Sequence, residues 1–271
     1  MLAMLSRLAL AALALTALPG PEARASSSDW VEAQGGRVRL VTSGEADAEG
    51  RIAGMIDIRL RPGWKTYWLD PGDAGVPPQI DVAASRNIAG IDVSFPAPQR
   101  HDEGYGSWAG YDRSVAFPVS FRLAEPGKPA LIDASLFLGM CETICVPVQA
   151  RLTLDPTAAP QDADDSRAVE AALAALPQAE AADFRAELLT AEAGRITVGA
   201  TVPAGSRPVD LFVAGTEGFQ FGLPKLKTGP GGEQFFAVKV LSRPDRAGAA
   251  ISYTLVSDRG SVSGTLALPP R

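Results

Sequence analysis

Apolar and polar residues alternate along most of this chain with the two-residue period of a β-strand. In "MIDIRL" (Met55–Leu60), Ile56, Ile58 and Leu60 share one side while Asp57 and Arg59 take the other. "SVAFPVSFRL" gathers Val115, Phe117, Val119, Phe121 and Leu123 on one face. Pro118, which has no N–H to donate, marks that segment as an edge strand or a bulge. "LIDASLFLGM" (Leu131–Met140) and "VPVQARLTLD" (Val146–Asp155) come next. In the second, Val146, Val148, Ala150, Leu152 and Leu154 alternate with Pro147, Gln149, Arg151 and Thr153. Such runs, bounded by Gly, Pro and Asp turns, predict an antiparallel β-sandwich.

The pattern breaks at "DPTAAPQDADD" (Asp155–Asp165), which reads as a linker. In "SRAVEAALAAL" (Ser166–Leu176) the spacing becomes helical, with Val169, Leu173 and Leu176 on one face and Asp165 or Ser166 as N-cap. A second short helix is expected around Ala182–Leu189. Strands then resume at "RITVGATV" (Arg195–Val202), "VDLFVAG" (Val209–Gly215) and "EQFFAVKVL" (Glu233–Leu241). The last, "ISYTLVSDRGSVSGTLAL", reads as a hairpin turning at Asp258-Arg259-Gly260. The expected organisation is a leader over 1–25, a sandwich domain over 26–156, a linker with helices over 157–192 and a second β-rich domain over 193–271.

The leader is inferred from Arg7, the apolar run Leu8–Leu18, helix-breaking Pro19, Gly20 and Pro21, and the small-x-small pattern Ala23-Arg24-Ala25. That apolar run is too short to span a bilayer. No later segment is apolar enough to cross a membrane, so the expected product is a secreted or periplasmic soluble protein. Loss of Arg7, Arg24 and Glu22 with the leader changes 25 basic and 31 acidic residues to 23 and 30, a net charge of −7. Lysines and arginines are dispersed, which excludes a nucleic-acid-binding surface. A lone histidine, His101, cannot supply H-E-x-x-H, and neither G-x-S-x-G nor a nucleotide-binding fingerprint occurs. "GPGGE" (Gly229–Glu233) reads as a turn.

Candidate chemistry is concentrated in "LFLGMCETICVP" (Leu136–Pro147), which holds both cysteines of the chain, Cys141 and Cys145. Cys141 ends one expected strand and Cys145 opens the next, so the thiols sit at or just inside a hairpin tip. An oxidising compartment favours their pairing. As a staple, so short a loop supplies roughly 2 kcal/mol, which a chain with 46% hydrophobic residues does not need. The segment after Cys145 is β-patterned, so no helix N-terminus lowers a thiol pKa here, and Glu142 opposes thiolate formation. Met140, Cys141 and Cys145 are also soft ligands suited to Cu(I), with His101 a possible contributor. A redox couple, a copper(I) site and an interaction module with a structural disulfide all fit these residues.

Three segments carry a family resemblance. "GMCETICVP" resembles the cysteine segment of the N-terminal periplasmic domain of the DsbD family of thiol:disulfide interchange proteins, in particular its ScsB-like branch. "RPGWKTYWLDPGDAGVPP" (Arg61–Pro78) resembles a Trp/Pro/Gly-rich motif of such domains. "DEGYG" (Asp102–Gly106), with "VAFPVSF" after it, resembles the segment that brings an acidic pair and an aromatic cap near the cysteines. The similarity covers roughly residues 30–155. It implies an immunoglobulin-like sandwich with Cys141 and Cys145 as exchanging thiols and no further cofactor. Asp102 and Glu103 become supporting acid–base groups, and Tyr105, Trp108 and Tyr111 cap or partner contacts. Trp64, Tyr67 and Trp68 read as sandwich core. The implied electron donor is a separate membrane-embedded or thioredoxin-like protein. The implied acceptors are periplasmic thioredoxin-fold proteins, such as disulfide isomerases or cytochrome c maturation factors.

Overall fold

The computed structural model describes residues 26–72, 75–104, 106–156, 162–192, 194–215, 218–244 and 250–269. The expected leader, Tyr105 and residues 157–161 of the expected linker lie outside them. In chain order come β1 (Val31–Ala33), β2 (Gly36–Ala46), β3 (Arg51–Leu60), β4 (Thr66–Tyr67), β5 (Gln79–Asp81) and β6 (Ile88–Val93). Next are β7 (Gln99–Asp102), β8 (Ser107–Tyr111), β9 (Val115–Leu123), β10 (Ile132–Cys141), β11 (Cys145–Leu154) and α1 (Ala163–Ala174). The chain continues as β12 (Gln178–Ala179), β13 (Arg185–Glu192), β14 (Arg195–Thr201), β15 (Pro208–Gly215) and β16 (Gln220–Phe221). It closes with β17 (Lys225–Thr228), β18 (Gln234–Ser242), β19 (Ala250–Ser257) and β20 (Gly260–Ala267).

The N-terminal part is built on two antiparallel sheets, β1-β2-β3-β9-β6 and β11-β10-β5. The alternating residues form its core. Ile56 and Ile58, Phe117 and Phe121, and Leu136 and Leu138 are all buried in one cluster. A one-residue slip in register would turn each of these sets to the opposite face. A third sheet, β4-β8-β7, is tied to the end of β10 by a bridge between Lys65 and Cys141.

Two details differ from expectation. β9 is an interior strand, paired with β3 on one side and β6 on the other. Pro118 is tolerated because its missing donor falls on the β6 side just as β6 ends; there its carbonyl accepts from the Ser94 N–H at 2.8 Å. The helix starts earlier than its sequence spacing indicates, with Asp162 as N-cap, its carboxylate accepting from the N–H groups of Asp164 and Asp165. Its buried face is Asp165, Val169 and Ala172, while Leu173 is exposed.

The helix covers the outer face of the first sheet. Val169 and Ala172 pack on Val41 and Met55, and Asp165 accepts from the Ser26 hydroxyl at 2.5 Å. That docking also explains why Asp57, on the polar side of β3, is only 2% exposed. Its carboxylate is neutralised by Arg59 at 2.7 Å and Arg39 at 3.5 Å.

The C-terminal part has two further sheets, β12-β20-β19-β15 and β13-β14-β18-β16, with β17 also on β18. They enclose a second core that includes Ile196, Val198, Leu211, Phe236, Leu255 and Val262. The expected helix around Ala182–Leu189 is not formed; β13 occupies most of that segment and pairs with β14. The terminal hairpin turns at Asp258-Arg259, with Ser257 opposite Gly260.

Candidate functional site

The β10–β11 hairpin is in register along its whole length, which sets Cys141 directly opposite Cys145. Their Cα atoms are 4.1 Å apart and the sulfurs are bonded to each other. The three-residue tip is exposed, and Ile144 is 68% accessible. The two sulfur-bearing residues differ sharply in access: Cys145 is exposed, whereas Cys141 is 1% accessible.

Cys141 is covered because its other edge is also paired. The Lys65 N–H donates to the Cys141 carbonyl at 2.8 Å and the Cys141 N–H to the Lys65 carbonyl at 2.9 Å. The hairpin thereby continues into β4, β8 and β7 as one ribbon. Directly opposed residues share a face and neighbours along a strand alternate. Through the pairs Cys141–Cys145, Lys65–Cys141, Tyr67–Gly110 and His101–Trp108, six side chains fall on one side. They are Cys145, Cys141, Lys65, Tyr67, Trp108 and His101.

Their contacts agree with that assignment. Tyr67 donates its hydroxyl to Cys141 Sγ at 3.0 Å and lies 3.2 Å from Cys145 Sγ. Trp108 meets the Tyr67 ring edge-on at 5.7 Å, and His101 stacks on Trp108 at 3.9 Å. The Lys65 ammonium sits 4.7 Å above the Trp108 ring and pairs with Glu103. Gly139 makes room for this arrangement. A Cβ there would lie 2.9 Å from Val76 Cβ and 3.2 Å from the Tyr67 ring, so a larger residue would push the phenol away from the sulfurs.

Chemically, a hydroxyl donor at sulfur favours thiolate, since hydrogen bonds to the charged form stabilise it. A leaving thiolate of lower pKa departs faster in exchange. The floor of the site therefore lies beneath a disulfide that joins one exposed residue, Cys145, to one buried residue, Cys141.

Of the residues expected from the sequence, Cys141 and Cys145 are joined, and Glu103 is brought to Lys65 beside them. Asp102 is exposed and accepts from the Ser107 hydroxyl across the β7–β8 turn. Trp108, expected as a cap, is 3% exposed and forms the floor. Tyr111 lies on the opposite face of β8, packed on Phe117, with its hydroxyl donating to the Pro96 carbonyl at 2.8 Å. Burial holds its phenol above the usual range. It belongs to the core, not to the site. Met140 is fully buried in the sandwich core, because adjacent strand residues face opposite ways. The Met140–Cys141–Cys145 copper(I) set is thus not brought together. Among the described residues no group of three His, Cys, Asp or Glu side chains is placed to hold a metal. His101 is half-buried, stacked on Trp108.

Two residues of the site, Tyr67 and Lys65, are not expected from the sequence, where Tyr67 reads as core together with its neighbouring tryptophans. The signal that identifies them is the alternation in "WKTYW" (Trp64–Trp68): Trp64 and Trp68 point into the core, so Lys65 and Tyr67 point away from it.

Residues 37–157 match the family model for the N-terminal region of thiol:disulfide interchange protein DsbD. Over 91% of this chain and 100% of its own, the N-terminal periplasmic domain of ScsB from Proteus mirabilis superposes with TM-score 0.70 at 21% identity. That likeness is one of fold and spans both β-rich parts, and the mainly β, immunoglobulin-like architecture expected from the sequence stands. The CupB2 chaperone of Pseudomonas aeruginosa also aligns, over 84% of this chain and 100% of its own at 10% identity. Its TM-score of 0.22 carries no argument. No curated protein matches the sequence significantly.

Proposed function

Because residues 37–157 belong to the family of DsbD N-terminal domains, we propose that this chain is a periplasmic thiol–disulfide interchange module cycling the Cys141–Cys145 pair. The observation that carries the reading is the asymmetry of the disulfide. Cys145 is the exposed residue that an incoming thiolate would meet, and Cys141 is the buried one, 3.0 Å from a hydroxyl that would stabilise its sulfur on leaving.

In the reductive half, a thiolate of a thioredoxin-like or membrane-embedded donor attacks Cys145 Sγ. The bond to Cys141 breaks and Cys141 departs as thiolate toward the Tyr67 hydroxyl. The donor's second thiol, on losing its proton, attacks its own sulfur in the mixed disulfide and releases Cys145. Two electrons have entered, and the donor leaves as a disulfide. The oxidative half reverses these steps on the disulfide of a periplasmic thioredoxin-fold client, of the disulfide isomerase or cytochrome c maturation type. Cys145 attacks, Cys141 resolves, and the client leaves as dithiol. Glu103, tied to Lys65, is the carboxylate suited to supporting proton movement at this end of the ribbon.

Trapping tests the assignment. Cys141→Ser leaves the exposed Cys145 able to form a stable mixed disulfide with a thioredoxin-fold protein from periplasmic extract. Cys145→Ser leaves only the sheltered sulfur and should trap far less. Failure of both variants to capture any thioredoxin-fold protein would end this reading.

A further inference from the structure

The ribbon that holds the redox site has a second face. Trp68 comes after Tyr67, Arg100 precedes His101 and Ala109 comes after Trp108, so these three residues point away from the sulfurs. They face β15 of the C-terminal part. Arg100 donates from Nε and Nη2 to the Asp210 carboxylate at 2.8 and 3.2 Å, and from Nη2 to the Leu211 carbonyl at 3.1 Å. Its guanidinium lies 4.6 Å over the Phe212 ring, and Phe212 meets Trp68 at 5.8 Å. Phe212 and Ala214 belong to the N-terminal core, while Leu211 and Val213 of the same strand belong to the C-terminal one. The gap left between Trp68, Arg100, Ala109 and Phe212 is about 30 Å³, room for roughly one water.

We propose that the C-terminal β part serves as the backing of the redox site, with Asp210 and Phe212 as positioning residues for Tyr67 and Trp108. Two features of the contact support this role. Each contacting residue is the chain or cross-strand neighbour of a group at the sulfurs, so a shift of β15 moves the strands that place the hydroxyl. The Arg100–Asp210 side chains are each 20% exposed. A largely desolvated, two-pronged pair fixes orientation, and planar guanidinium geometry suits that role better than a greasy contact. Slack in this backing withdraws the Tyr67 hydroxyl from the leaving sulfur, which raises the leaving-group pKa and slows exchange.

The proposal rests on the interchange reading, and its test separates the two. The rate of reduction of the full mature protein by dithiothreitol, and its equilibrium with glutathione, are measured for wild type, Asp210→Asn, Phe212→Leu and the exposed-site control Val209→Thr. Near-ultraviolet circular dichroism and thermal melts establish that each variant is folded. The expected result is reduction slowed at least about twofold in Asp210→Asn and Phe212→Leu, the low end of couplings carried by packed side chains. Their equilibria should move toward the disulfide, while Val209→Thr should match wild type. Folded Asp210→Asn and Phe212→Leu proteins that react as fast as wild type, or faster, overturn the proposal. Should Asp210→Asn not fold, the milder Phe212→Leu decides alone. A wild-type disulfide that glutathione never opens would sink the interchange reading itself.

Discussion

At the scale of single residues, the proposed exchange depends on where one phenol hydroxyl lies. Tyr67 reaches both sulfurs, and a hydrogen bond to a charged acceptor is worth about 1.5–3 kcal/mol. Tyr67→Phe keeps the ring and removes the donor. Its expected effect is a higher apparent thiol pKa in the pH profile of alkylation of the reduced protein, with reduction slowed about tenfold. Gly139→Val should act in the same direction by displacing the ring, and should also lower the melting temperature because it crowds Val76 and Tyr67. A Gly139→Val protein with wild-type thiol pKa and rate would mean that the phenol is not held by this glycine. The cysteine pairing itself is legible in the sequence, because two strand patterns flank it with a gap too short for anything but a tight hairpin. For Tyr67 the alternation in Trp64–Trp68 shows only that the side chain faces away from the core, not that it meets the sulfurs. Its role depends on the bridge between Lys65 and Cys141, a contact across 76 positions that no local pattern encodes.

At the scale of elements, the hairpin arms need support away from the sulfurs, and Asp133 with Arg151 supplies it. Arg151 Nε donates to Asp133 at 2.7 Å, and this hydrogen bond, aided by the guanidinium charge, holds the carboxyl below its usual range. A depressed folded-state pKa means stability that is fully present above the ordinary carboxylate range and is lost as pH falls through the lower folded value. Asp133→Asn should therefore flatten the acid limb of a stability–pH curve while leaving redox cycling intact. An unchanged acid limb would show that this pair contributes nothing to acid sensitivity. Elements also show where local preference loses to tertiary pairing. The segment around Ala182–Leu189 holds two Ala and two Leu, yet helix propensity differs by only a few tenths of a kcal/mol per residue. Pairing of β13 with β14 accompanies burial of Ala186 in the second core, next to Phe184 just before the strand. Pro118 misleads for a related reason: the sequence reveals the missing donor but not that the neighbouring strand has already ended.

At the scale of the whole molecule, two cores meet along β15, whose alternating residues serve one core each, with Val256 of β19 also packed on the N-terminal core. The presence of two β-rich parts is readable from the break at Asp155–Asp165. Their contact is not, because Arg100 and Asp210 are ordinary surface-type residues until the fold brings them together. Three levels therefore bear on one chemical event: a hairpin places the sulfurs, a ribbon places the phenol, and a second β part backs the ribbon. The most direct measurement of that event is the fraction of free thiol in the purified protein across a series of glutathione redox buffers, read by alkylation and mass spectrometry. The account predicts a reversible two-electron transition of Cys141–Cys145 at a potential above about −300 mV, the value below which structural disulfides lie, with the fold unchanged on both sides of it. A pair that stays oxidised throughout, or that opens only as the protein unfolds, would contradict it.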